Sequence, residues 1–269
     1  MQVRYNFLIM IEKIGAGIRG NFVNFSYAAG FFLSLIKESF FFLRHKHIGF
    51  RVLRMQILFT GFEALGVITL LGIALGVVII VQGLSLLPQF GQGDLIYTIL
   101  DVVITRELGP LLTAFIIIAR SATAISTELG NMVVSREIEA YVSTGIDPIS
   151  YLAVPRFLGV IISIILLNLY FNVAGLVGSY FVAQFIKTVT FTEYFRNLLL
   201  FVKPASIAIS FIKSFVFGII ISFSATYNGF KVEGSTTEIP QVVIKSVGQG
   251  LTLCIIASAI ITALSYLWS

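Results

Sequence analysis

Charge is what this sequence has least of. Asp, Glu, Lys and Arg make up 12% of its 269 residues, against about 25% in an ordinary soluble domain. With 57% hydrophobic residues, a soluble fold would have to bury several all-apolar helices in one core, and the length of the uncharged runs excludes it. Cysteine is nearly absent. Cys254 is the only one; it lies in an apolar run with no disulfide partner and reads as inert packing. Histidine is limited to His45 and His47, whose spacing does not share a helix face, so no metal site is expected. No Gly-x-x-x-x-Gly-Lys-Ser/Thr loop occurs. Lys213-Ser214 and Lys245-Ser246 lack the preceding glycines, so the chain is not expected to hydrolyse a nucleotide. A nucleophile elbow, a zinc helix motif and a haem motif are also missing, and no catalytic residue is expected. The N-terminus carries Arg4, Glu12, Lys13 and Arg19 and does not read as a cleavable signal peptide.

What is present is a succession of apolar runs. A bilayer core of about 30 Å takes roughly 20 apolar helical residues to cross. Runs of that kind predict an all-α integral membrane protein with about five spans, near 64–87, 95–126, 157–186, 204–227 and 247–268. Residues 1–62 form a mixed N-terminal segment. From Phe22 its apolar positions (Phe25, Ala29, Phe32, Ile36, Phe40, Leu43) recur at three- and four-residue steps, the period of an amphipathic helix. Lys37 and Glu38 interrupt it, so it is expected to lie in the interface, followed by a basic run with Arg44 and Lys46. The net charge of +5 follows topology rather than nucleic-acid binding. With the N-terminus cytoplasmic, the inside segments hold 12 of the 18 cations and the outside loops 3. The loop 187–203, with Lys187, Arg196 and Lys203, is the exception. Five spans without a detectable internal repeat differ from the inverted-repeat carriers and suggest that a complete pathway takes a second copy of the chain.

The few charges inside the spans are the informative ones. Arg106 and Glu107 lie about eleven residues into the second span and Lys213 about nine into the fourth. At about 1.5 Å per residue both points fall near mid-membrane. Ionisable groups at that depth need a partner or a water-filled cavity. The expectation is that Glu107 pairs with Lys213 and leaves Arg106 free to face a cavity. A purely architectural ion pair is the competing reading. Arg120 falls about 20 Å further along, near the cytoplasmic interface, where snorkelling to headgroups accounts for it. Pro110 is expected to kink the second span.

Residues Thr127–Arg156 are expected to form a loop with a short amphipathic helix. Its apolar set includes Leu129, Met132, Ile138 and Tyr141, and its charged set Glu128, Arg136, Glu137 and Glu139. Asp147-Pro148 reads as a helix start. Such a helix either docks on a soluble partner or packs on its own protein. In the first span Gly72-x-x-x-Gly76 is a close-packing motif, although glycine is common in membrane helices anyway.

Several segments resemble the MlaE (YrbE-like) permease family: Arg106-Glu-Leu-Gly-Pro110, Ala119-Arg-Ser-Ala122, Thr127-Glu-Leu-Gly-Asn-Met132, Gly145-Ile-Asp-Pro148, Pro155-Arg-Phe157, Ile212-Lys-Ser214 and Tyr227-Asn-Gly229. The resemblance covers about residues 50–269. It implies a permease domain over 63–269, serving as the membrane subunit of an ABC-type phospholipid transporter in a bacterial inner membrane. It further implies a homodimer, a cytoplasmic ABC ATPase that carries the ATP and Mg, and a periplasmic lipid-binding protein of the MCE type. Arg106, Glu107 and Lys213, with Gln82, would match the family's lipid cavity. The segment 128–147, with Glu128, Gly130, Met132, Arg136, Glu137, Glu139 and Asp147, would match the coupling region on the ATPase. The stretch Ser135-Arg-Glu-Ile-Glu139 departs from the family pattern. An alternative on the residues alone is an ion-coupled carrier with Glu107 and Lys213 as a proton relay.

Overall fold

The computed structural model describes residues 26–42, 50–90, 95–187 and 190–267. Every regular element among them is helical. We number the elements α1 (26–42), α2 (Phe50–Leu86), α3 (Leu95–Val134), α4 (Glu137–Ser143), α5 (Val154–Lys187), α6 (Phe191–Phe201), α7 (Pro204–Phe230) and α8 (Ile239–Leu267). A wide turn, Ile149–Ala153, leads into α5, and a 3-10 turn, Thr236–Glu238, precedes α8. The helices α2, α3, α5, α7 and α8 are long and apolar enough to cross a bilayer. The chain is a multi-pass membrane protein.

The spans begin or end away from the hydropathic limits, for one recurring reason. A helix continues into polar sequence wherever one of its faces still has something to bury. Helix α2 starts at Phe50 rather than near Ala64, because Leu53, Thr60, Ala64 and Ile68 line a single buried face while Arg51 and Arg54 stand on the exposed one. Helix α3 continues through the expected loop start at Thr127 to Val134, burying Leu129 and Gly130. Helix α8 starts at Ile239 rather than Val247, with Ile239 and Ser246 buried and Lys245 exposed. The expected loop 187–203 is largely helix α6, whose Tyr194 and Leu198 point inward on a four-residue step. The Tyr194 hydroxyl lies 2.7 Å from Ser179 Oγ and donates to the Leu176 carbonyl at 3.2 Å. Burial pushes its phenol up to about 12, so it stays neutral.

The expected interfacial helix is α1 in its described part. It does more than lie flat. Phe31, Leu35 and Ser39 are buried, and Phe31 and Phe32 pack on the rings of Phe223, Tyr227 and Phe230. Its outer face leaves Leu33, Phe40 and Phe41 exposed. The basic positions Arg44 and Lys46 lie outside the described residues.

The most extensive interface joins α2 to α5. Gly72 faces the Phe171 carbonyl oxygen, and a Cβ on Gly76 would run into the Gly175 carbonyl. The Gly72-x-x-x-Gly76 motif is therefore a backbone-to-backbone contact, the close approach that small residues permit in a bilayer.

Helix α3 packs parallel to α7: Asp101 meets Ser206, Glu107 meets Lys213, and Ser126 meets Ala225. It is not a regular helix. Asp101–Leu108 and Ile118–Ala122 are wide π turns, and the Gly109 N–H donates to Ile104 O five residues back. These turns accompany Pro110, which starts the regular segment that follows, so the irregularity lies mostly ahead of the proline that the sequence singled out.

Candidate functional site

The carbonyl four residues before Pro110 is that of Arg106, and proline has no N–H to offer it. Lys213 on α7 supplies the donor: its Nζ donates to Arg106 O at 3.1 Å. The same ammonium lies 2.6 Å from Glu107 Oε2, the pair expected from their shared depth. Lys213 is fully buried, while the Glu107 side chain keeps 28% of its surface. A buried charge is tolerable only when paired and hydrogen-bonded, and both conditions hold here.

Arg106 is not left free, as the sequence suggested. Its Nε stands 3.4 Å from Glu107 Oε1, its Nη2 donates to Ser265 Oγ at 2.6 Å, and its guanidinium lies 4.3 Å from the centre of the Tyr266 ring. The reason is α8, which the charge pattern could not place. Thr262, Ser265 and Tyr266 form the third side of the cluster, with Thr262 Oγ1 donating to Glu107 Oε2 at 3.0 Å. The available signal was a hydroxyl pair, Thr262 and Ser265, three residues apart near the end of an apolar run. The cluster holds two cations and one carboxylate, one positive charge in excess.

Gln82 stands apart. It is exposed on α2, and its neighbour Gly83 faces Ile96. That level is about 15 Å along α3 from Arg106, so the structure does not bring Gln82 to the charged cluster.

The expected coupling residues divide into two groups. Glu128, Gly130 and Met132 are on α3 rather than in a loop. Glu128 pairs with the buried Arg156 at 2.7 Å, Gly130 faces Val232 and Ile239, and Met132 is half-buried against the core. Asp147 is a helix cap: its carboxylate accepts from the Ile149 and Ser150 N–H groups at 3.3 and 3.0 Å and from Ser150 Oγ at 2.7 Å. Ser150 Oγ also lies 2.8 Å from Glu38 Oε2, tying the cap to α1. Asp147→Ala is expected to lower stability by about 1 kcal/mol, the usual loss for an N-cap; thermal unfolding in detergent measures it. The exposed group is Arg136, Glu137 and Glu139. Arg136 takes the left-handed conformation (φ 58°) that ends α3, and α4 then runs without a fully buried residue. Ile138 and Tyr141 hold it on the body, Tyr141 against Tyr151, while Val142 is exposed. Arg120 pairs with Glu63 on α2 at 2.9 Å, both more than 40% exposed, an ion pair worth well under about 1 kcal/mol.

Among the described residues, five helices able to span a bilayer, a charge cluster where three of them meet and a short exposed helix at one end are the build of a membrane permease. The chain belongs to the MlaE permease family: the family described as Permease MlaE matches residues 53–264. Among its relatives is a probable ABC transporter permease protein of Rickettsia prowazekii (strain Madrid E), 29% identical over 211 residues, which are 78% of this chain and 82% of the relative. The intermembrane phospholipid transport system permease protein MlaE of Haemophilus influenzae is 26% identical over 222 residues, 82% and 84% of the two chains. The chloroplastic TRIGALACTOSYLDIACYLGLYCEROL 1 protein of Arabidopsis thaliana is 27% identical over 201 residues, 75% of this chain and 55% of the relative.

Proposed function

We propose that this chain is the membrane subunit of an ABC-type phospholipid transporter of a bacterial inner membrane, working as a homodimer with its N-terminus cytoplasmic. The observation that carries this reading is the Arg106–Glu107–Lys213 cluster. It lies where three spanning helices meet, is one positive charge in excess and is partly open at Glu107. An excess cation in a low-dielectric setting attracts the phosphate of a headgroup, while the apolar flanks of the spans suit acyl chains. The adjacent α8 leaves Leu253, Ile256, Ile260 and Leu264 exposed, a face suited to a second copy. ATP and Mg belong to a cytoplasmic ABC ATPase seated on α4, and the lipid is exchanged with a periplasmic MCE-type protein. No covalent chemistry is assigned to this chain.

The test is purification with native partners followed by lipid mass spectrometry. An ATPase that co-purifies, and is lost from a Glu137→Arg/Glu139→Arg variant that still folds, supports the reading. That double reversal is expected to reduce lipid-stimulated ATP hydrolysis at least tenfold, a loss of about 1.4 kcal/mol of coupling. Lipid movement that persists without any nucleotide would instead indicate an ion-coupled carrier.

A further inference from the structure

One groove outside the charged cluster is built from three helices at once. It lies between α3, α5 and α7, encloses about 170 Å³, and has Thr105, Asn168, Asn172 and Ser210 on its polar side. The spacing is the same on two walls. Thr105 and Gly109 are four apart on α3, and Asn168 and Asn172 four apart on α5, so each pair shares a helix face. Gly109 leaves the space into which both asparagines reach: Asn172 Oδ1 and Asn168 Oδ1 lie 2.6 and 3.2 Å from where its Cβ would stand. Asn168 is held in place by donating to Ser210 Oγ at 2.8 Å.

Three buried oxygens in this groove have no partner among the described residues: Thr105 Oγ1, Asn168 Oδ1 and Asn172 Oδ1. Thr105 is 4% and Asn168 2% exposed. Polar groups in membrane spans are costly and ordinarily satisfied within the protein; two amide oxygens and a hydroxyl without a partner in a single groove point to a donor from outside. The rim says where that donor comes from. Leu169, Val173 and Phe211 are 47%, 53% and 40% exposed on spanning helices, so the mouth opens among residues that face the bilayer. No charged side chain lines the groove, so a bare phosphate is not its natural occupant. Its volume is below the roughly 300 Å³ at which pockets for whole small molecules begin. A groove of that size has room for a headgroup fragment and none for acyl chains.

We propose that this groove binds the donor-bearing headgroup of a membrane lipid, a hydroxyl or a primary ammonium, through Thr105, Asn168 and Asn172. A lipid held there would have its head at Thr105, the residue next to Arg106, and so at the level of the charged cluster along α3. The claim concerns binding and stands whether or not the chain transports lipid.

The experiment takes the full chain in nanodiscs of equal parts dioleoyl phosphatidylethanolamine, phosphatidylglycerol and phosphatidylcholine, followed by extraction and quantification of the lipid retained. Ethanolamine and glycerol heads carry N–H or O–H donors; choline carries none. The wild type is expected to retain at least one donor lipid about fivefold over phosphatidylcholine, the size of one net hydrogen bond of about 1 kcal/mol. Enrichment of phosphatidylethanolamine alone identifies an ammonium site, and enrichment of phosphatidylglycerol a hydroxyl site. Asn172→Leu and Thr105→Val are each expected to abolish the preference while melting no lower than wild type, since each removes a polar group from a span. Equal retention of all three lipids by the wild type, as for a groove filled by water, overturns the proposal. So does a preference that survives both substitutions.

Discussion

Lys213→Met is expected to destabilise the protein by about 1–3 kcal/mol and to abolish lipid movement. Arg106 still balances the Glu107 charge, so the loss is set by the two hydrogen bonds that Lys213 gives, to Glu107 and to the Arg106 carbonyl. Glu107 would keep Thr262 and the off-axis contact with Arg106 at 3.4 Å, and the Arg106 carbonyl would lose the donor it takes from Lys213. Thermal unfolding in detergent measures the first effect and a vesicle transport assay the second. The charge swap, Glu107→Lys with Lys213→Glu, is expected to recover only part of the activity. It restores attraction between α3 and α7 but sets the introduced ammonium beside the Arg106 guanidinium, next to the Thr262 hydroxyl. The neutral triple Arg106→Gln, Glu107→Gln and Lys213→Met separates architecture from function, because an ion network replaced as a whole is often tolerated by the fold. That variant should fold and fail to transport. Transport at the wild-type rate would show the cluster to be architectural only.

Gly76→Val is expected to leave no stable protein. Overpacking a core commonly costs about 1–3 kcal/mol when side chains can move aside. Here the first added carbon meets the Gly175 carbonyl, part of a helix backbone that cannot swing away, so the expected loss is about 3 kcal/mol or more. Gly66→Val on the same helix is the control: it has nothing within 4 Å, and it should express and melt like the wild type. Similar losses at both positions would mean that valine is poorly tolerated in α2 generally rather than at the contact with α5.

The sequence made the fold legible wherever apolar runs alone decide it, which covers the five spans. It misplaced their ends because burial of one face, at Leu53 or Leu129, is a tertiary fact that hydropathy does not contain. Glu107 and Lys213 were legible because charge at mid-membrane is costly enough to demand a partner, and depth follows from counting residues. Arg106 was not legible in the same way, because its partners Ser265 and Tyr266 lie on a helix more than 150 positions later. Gly72 and Gly76 were read as one common motif among many; what makes them matter is Gly175 opposite. Asn168 and Asn172 are silent in the sequence, because a neutral amide in an apolar run carries no cost large enough to demand a partner at a given depth. Asp147 followed by Pro148 reads as a helix start, and its hydrogen bonds to Ile149 and Ser150 are those of a cap.

The five-residue closure from Gly109 to Ile104 carries a consequence for sequence change. A turn closed over five residues uses one more than the regular helix, and one residue is worth about 100° of rotation. Everything beyond Leu108 is therefore phased differently from everything before Asp101. Deleting Val103 is the conservative-looking edit that keeps α3 helical and apolar, yet it would turn Leu129 away from Gly229 on α7 and Gly130 away from Ile239 on α8, or else swing Asp101 off Ser206. For this helix, length is part of the code: a homologue aligned with a single gap there would share its letters and not its faces.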